Sequence, residues 1–113
     1  MKPPLTGDPR RNAHANDIDF QIESDFIGLM CPGLPREANR YAERVGRVMN
    51  HGDGLYGGMF FSGMYAAAFF ENDPRAVVEA GLRSIPAESG YAKAVRDVLA
   101  GYSQYPNEWR KTW

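Results

Sequence analysis

A single cysteine, Cys31, serves a chain of 113 residues, so no intramolecular disulfide can form and no zinc motif built on two thiolates is available. Charge of one sign is not in excess either: thirteen Lys and Arg stand against fourteen Asp and Glu, a formal net charge of −1. Without a basic field the chain lacks the electrostatic footprint of a nucleic-acid or anionic-membrane binder. Long apolar runs are missing as well. Leu55 to Phe70 is the most apolar stretch, but it is 16 residues long and carries Gly57, Gly58, Ser62 and Gly63, short of the roughly 20 residues that a spanning helix needs. The opening Pro3-Pro4-Leu5-Thr6-Gly7-Asp8-Pro9 has none of the apolar core of a secretory signal. These absences predict a cytoplasmic protein with no membrane and no nucleic-acid partner. No segment alternates apolar and polar residues with period two, which argues against a sheet.

What is present is enough apolar material for one core, 43% of residues, in a length that admits one domain. Residues 1–15 hold three prolines and few apolar side chains, and are expected to form a flexible N-terminal arm; residues 16–113 form the domain. Ile18, Ile22, Phe26, Leu29 and Met30 recur at helical spacing and predict one helix over 17–30 with these residues inward and Glu23 and Ser24 outward. Cys31-Pro32-Gly33-Leu34-Pro35 breaks it. A second, amphipathic helix follows Pro35, with Ala38, Tyr41, Ala42, Val45, Val48 and Met49 on its inner stripe. The third, over 55–70, is apolar almost all round and must be surrounded by others. On it Gly54, Gly58, Ser62 and Ala66 fall at strict four-residue spacing, a row of minimal side chains that admits another backbone or a flat ligand. Asn72-Asp73-Pro74 opens a fourth helix, and 87–105, ended by Pro106, is the fifth, with Tyr91, Ala94, Val95, Val98, Leu99 and Tyr102 on one side. The predicted fold is all-α, a bundle of about five helices around a buried central one.

His51 lies in the break Asn50-His51-Gly52-Asp53-Gly54 at the mouth of the buried helix, where unpaired backbone N–H groups suit a phosphate or a sugar hydroxyl. A histidine that satisfies local backbone groups at a helix junction is the alternative. Asp53 reads as the N-cap of that helix. Asp17, Asp19, Glu23 and Asp25 crowd one segment, but steps of two residues put Asp17 and Asp19 on nearly opposite helix faces, which favours a solvated acidic face over a shared cation. His14 carries no role. Cys31, at a helix end with no neighbouring histidine, reads as buried and inert. Trp109 and Trp113 flank Arg110-Lys111 in a tail apolar enough to dock on a surface, one outside this chain included.

Gln21 to Leu29, Cys31-Pro32-Gly33-Leu34-Pro35, and Asn50-His51-Gly52-Asp53-Gly54-Leu55-Tyr56-Gly57-Gly58-Met59-Phe60, followed by Ala80 to Pro86 and Ala94 to Val98, resemble in that order the middle-to-late part of the ADP-ribosylglycohydrolase family, the all-helical hydrolases related to crystallin J1. The resemblance covers about 21–105. It implies cleavage of the bond between an ADP-ribosyl or similar group and its attachment atom, with a pair of Mg²⁺ ions activating water and substrate. It also implies substrate binding at His51, and beside it at Gly54, Tyr56 and Gly57. The family's metal ligands come from a Thr-Asp-Asp type motif and an Asp-x-Asp-Thr/Ser type motif, and neither occurs here. No catalytic or metal-binding residue is therefore assigned, and no Mg²⁺ is expected to bind this chain alone. The expectation is a fragment or truncated relative of such a hydrolase, inactive by itself and able to meet an ADP-ribose-like ligand. The alternative is a helical interaction module that oligomerises, or pairs with a complementary segment, through its apolar faces.

Overall fold

Proline and glycine punctuate the chain where its helices start and stop. In the structure, a computed structural model that describes residues 1–113, the helices are α1 (Asp19–Glu23), α2 (Asp25–Leu29), α3 (Pro35–Gly46), α4 (Gly52–Ala68), α5 (Pro74–Leu82), α6 (Gly90–Gln104) and α7 (Trp109–Thr112). A 3₁₀ turn, Leu5–Gly7, precedes them, and there is no strand. The fold is all-helical, as expected. Pro35 and Pro74 occupy first-turn positions of α3 and α5, where a missing N–H costs nothing. Gly33 takes φ +71° in the turn before α3 and donates its N–H to the Ala66 carbonyl at 2.8 Å. No helix is long and apolar enough to cross a membrane.

α4 sits at the centre, with α3, α5 and the α1–α2 segment packed around it. Its buried side includes Leu55, Met59, Phe60, Ser62 and Ala66, joined in one core with Phe20, Ile27, Ala38, Ala42, Ile85 and Ala92. The row of small residues is filled by protein. Asn16 Oδ1 accepts from the Gly54 N–H at 2.9 Å, Phe20 lies against Gly58, Ser62 donates its hydroxyl to the Ser24 carbonyl at 3.0 Å, and Gly28 abuts the backbone of Ser62 and Ala66. Asn16, Phe20, Ser24 and Gly28 thus lie along Gly54, Gly58, Ser62 and Ala66 with a constant offset of 38 residues. The two segments run parallel, each presenting every fourth residue. Gly46 on α3 receives the same Phe20 ring from the other side.

This register corrects the phase expected for 17–30. The segment is two short helices broken at Ser24, which is fully buried and turns its carbonyl to Ser62. The inward residues are Phe20, Ser24, Ile27 and Gly28, whereas Ile18, Ile22, Phe26, Leu29 and Met30 face out, Ile22 at 69% and Met30 at 63% exposure. The physical reason is distance. Backbone comes close at Gly54, Ser62 and Ala66, the flat Phe20 ring fills the notch at Gly58, and large aliphatic side chains in between would hold that backbone off.

The later helices depart less. α3 is amphipathic and peripheral as expected, with Ala38 and Ala42 buried and Val45 and Met49 packed on the core. Tyr41 and Val48, expected on its inner stripe, are exposed, and Arg40–Glu37 on its outer face and Arg47–Glu43 at its end pair at 3.0 and 2.7 Å. α6 starts at Gly90 rather than 87, with Ser89 accepting from the Ala92 N–H at its N-cap. Of its apolar side, Tyr91 and Val95 pack on the core while Val98 and Tyr102 stay exposed. The tail is folded as α7, which lies back on α6 with Thr112 against Gly101 and Lys111 over the Tyr105 ring at 5.4 Å. That short helix and the break at Ser24 raise the count from five to seven. Residues 1–15, expected as a loose arm, make contacts through backbone and amide groups rather than apolar side chains. Asn12 donates to the Thr6 and Met49 carbonyls, each at 3.0 Å, Gly7 lies against the carbonyls of Arg47 and Asn50, and Ala15 is buried.

Candidate functional site

The mouth of α4 is assembled by side chains that cap helices other than their own. Asn50 is 1% exposed. Its Oδ1 accepts from the Phe20 N–H at 2.9 Å, in the first turn of α1, and its Nδ2 donates to the Ala15 and Asp17 carbonyls at 3.1 and 3.0 Å. Asn16 returns the favour to α4 through Gly54. Between them the His51 N–H donates to the Ala15 carbonyl at 2.7 Å. Residues 14–17 and 50–54 therefore hold each other, and one N–H in the first turn of each helix, Phe20 of α1 and Gly54 of α4, is satisfied from the other segment.

Asp53 corrects its expected role. It sits within the first turn of α4, and the N-cap position is His51, which makes no side-chain cap. The Asp53 carboxylate instead accepts from the Tyr91 N–H at 3.0 Å, so it caps α6 and ties that helix to the mouth. An Asp53→Ala chain is expected to lose about 1 kcal/mol of stability, the usual worth of a cap. Amide hydrogen exchange should then quicken in the first turn of α6 and stay unchanged in α3.

The four residues tied to substrate binding are placed differently. His51 is exposed, and its ring has no hydrogen-bond partner within the molecule. It borders a recess of about 140 Å³ with Pro4, Leu5, Gly7, Asp8, Arg47 and Asn50. Asp8 in that recess is held by Arg10, Nη2 to Oδ2 2.6 Å, and this contact keeps its carboxyl well below the usual carboxylate range. Tyr56 is half-buried against the core. Gly54 and Gly57 face protein: a Cβ on Gly54 would come within 2.8 Å of the Asp17 carbonyl, and one on Gly57 within 3.0 Å of the Tyr91 ring. Those two glycines admit neighbouring chain, which is why they are small. Tyr91 has its hydroxyl titration pushed up by burial, and its ring stands 5.4 Å from Phe60.

A sequence model of the ADP-ribosylglycohydrolase family matches residues 2–113. The chain belongs to the ADP-ribosylglycohydrolase family. No curated protein and no solved structure matches it. Membership makes it an ADP-ribosylglycohydrolase-like hydrolase domain, and the all-helical fold agrees with that family.

Magnesium, which the family resemblance implies, can be tested against the residues present. No group of three or more His, Cys, Asp and Glu side chains converges. Asp17 pairs with His14 at 2.7 Å, Asp53 is engaged by α6 and Asp8 by Arg10. A two-metal centre needs several free carboxylates around one point, and these residues do not fit one. Cys31 is buried and free, in line with its reading.

Sequence reading missed Asn50. An asparagine in a glycine-rich break reads as an ordinary turn residue, and its contacts lie 30 and more residues away. No local signal distinguishes it.

Proposed function

We propose that the chain carries a ligand-facing part of an ADP-ribosyl-cleaving hydrolase fold, with His51 as the contact for an ADP-ribose-like ligand and Tyr56 beside it, and that it does not hydrolyse by itself. The observation that supports the ligand role is the free imidazole of His51, exposed at the border of a recess, while Asn16, Asn50 and Asp53 beside it are engaged by the fold. A neutral or charged imidazole there can donate to a phosphate or ribose oxygen. The absence of catalysis rests on the dispersed carboxylates, since none is positioned with others to bind a cation and activate water.

Titration calorimetry with ADP-ribose tests the first half. His51→Ala should weaken binding about tenfold, the worth of one hydrogen bond to a charged group, and leave the melting temperature nearly unchanged because the exposed ring forms no hydrogen bond or ion pair in the fold. Equal affinity in the two chains would sink the role. For the second half, magnesium-dependent release of ADP-ribose by the chain alone is the overturning result.

A second reading is favoured by the outward apolar side chains of α1 and α2 and by Val98 and Tyr102 on α6. Such faces are costly to leave wet, and pairing with another helical segment or a second copy would cover them. Sedimentation as a monomer across the micromolar range would count against it.

A further inference from the structure

Two neighbouring elements each bury every fourth residue and turn the opposite row to solvent. The inward row is Phe20, Ser24 and Gly28 on α1–α2, and Ala38, Ala42 and Gly46 on α3. A step of two residues turns about 200° around a helix. Ile18, Ile22, Phe26 and Met30 therefore stand out from α1–α2, and Arg36, Arg40 and Arg44 from α3, all of them exposed. The Phe20 ring lies against both Gly46 and Gly58, which sets the two elements side by side on α4.

The two ridges are opposite in chemistry. Between Arg11 and Arg36 the chain has no Lys or Arg, and Asp19, Glu23 and Asp25, exposed among the apolar residues of the first ridge, form no ion pair. On α3 the two glutamates are neutralised locally, Glu37 by Arg40 at 3.0 Å and Glu43 by Arg47 at 2.7 Å, whereas Arg36 and Arg44 have no anion. Tyr41 and Val48 add exposed apolar surface there, and arginine stems themselves cover hydrocarbon. The first ridge offers apolar knobs edged by unpaired carboxylates. The second offers aliphatic stems that end in unpaired guanidinium groups. Both run along i, i+4 rows, the pattern that interdigitates when helices cross at about −50°.

The chain also exposes more surface than its mass requires. Its 7450 Å² stands about 1,200 Å² above the roughly 6,200 Å² of a folded monomer of 12.6 kDa, and one side of a standard interface removes about 800 Å². Pairing the first ridge with itself would bring the unpaired carboxylates of two copies together, at the cost of like-charge repulsion. We propose that a second copy of this chain is the occupant, with α1–α2 of each copy lying on α3 of the other. One two-fold axis makes both contacts at once. The inference rests on the second reading above, in which association covers the apolar faces, and it assigns the face and its mate.

Sedimentation of the full chain across the micromolar range tests it. Dimers are expected, and they should weaken as salt is raised. Two charge-reversed chains, Asp19→Lys/Glu23→Lys and Arg36→Glu/Arg44→Glu, change exposed positions only. Each should raise the dissociation constant about a hundredfold or more, because like charges now meet in both contacts. Mixed in equal amounts, the two should associate at close to wild-type strength, since every contact again joins opposite charges. Wild-type dimerisation of the Arg36→Glu/Arg44→Glu chain overturns the assignment. So does failure of the mixture to associate while circular dichroism shows both chains folded. A monomeric wild-type chain overturns the second copy as occupant, and if a basic amphipathic peptide then shifts the amide signals of residues 18–30, the ridge belongs to a foreign helix. A dimer that resists both reversals and is lost in Val98→Asp/Tyr102→Asp ends this assignment while the second reading stands on α6.

Discussion

Asn50→Ala should lower the unfolding free energy by about 3 to 5 kcal/mol, a large part of the 5 to 15 kcal/mol typical of a domain. The side chain is buried and its amide serves three backbone groups in two directions: the Phe20 N–H, the Ala15 carbonyl and the Asp17 carbonyl. Ala15 retains the His51 N–H as a partner, so the variant orphans chiefly the Phe20 donor and the Asp17 acceptor, each at about 1 to 3 kcal/mol. Denaturant midpoints measure it, with an unchanged m-value showing that the unfolded state is not the cause. Asn50→Asp separates hydrogen bonding from volume. The carboxylate keeps the acceptor for Phe20 but meets carbonyl oxygens where the amide donated, so its protonation is favoured in the folded state and its pKa is raised there. Stability of that variant should therefore increase as pH falls, because a raised folded-state pKa contributes stability at low pH that is lost as pH rises through it. A loss within a few tenths of a kcal/mol for Asn50→Ala would show that the cross-capping is incidental.

Gly28→Ala should destabilise by about 2 kcal/mol or more, although the same change in an isolated helix stabilises by about 1 kcal/mol. A Cβ at Gly28 would meet the Ser62 carbonyl oxygen at 2.5 Å and the Tyr65 Cβ closer still. Both belong to α4, whose backbone is held by neighbours on several sides, so neither can give way. The α2 backbone must lift, which lengthens the Ser62 to Ser24 hydrogen bond and loosens Ile27. Reversal of the helix-propensity sign is the readout. A stabilised Gly28→Ala chain would mean that the two segments are not in the register described.

The parts of the fold that were legible are those marked by local chemistry. Pro35 and Pro74 announce helix starts, Pro106 follows a helix end, and the four-residue row on α4 announces a close packing surface without naming its occupant. The phase of 17–30 was not legible, because hydrophobicity reports how much apolar surface a residue carries, while α4 selects for how near a backbone can come. Ile22 and Met30 lose that selection to Ser24 and Gly28. The target of a cap is equally hidden. Asp53 reads as a cap of the helix it adjoins, yet serves α6, and Asn16 reaches across to α4, each a partner that only the fold brings to it. At the site, His51 was legible as a histidine at a helix mouth, and the row containing Gly54 was legible as a face open to a backbone or a flat ligand, of which the backbone of residues 16–17 is what lies there.

The offset of 38 residues between the Asn16 row and the Gly54 row also sets an order of events during synthesis. The early segment reaches the ribosome exit before the surface it rests on has been translated. At about 5 to 20 residues per second, the interval is roughly 2 to 8 seconds, during which Phe20 and Ile27 have no bed and stand open to chaperones. Ser62 must be translated before Ser24 can be fastened, so the segment of residues 16–28 is committed late.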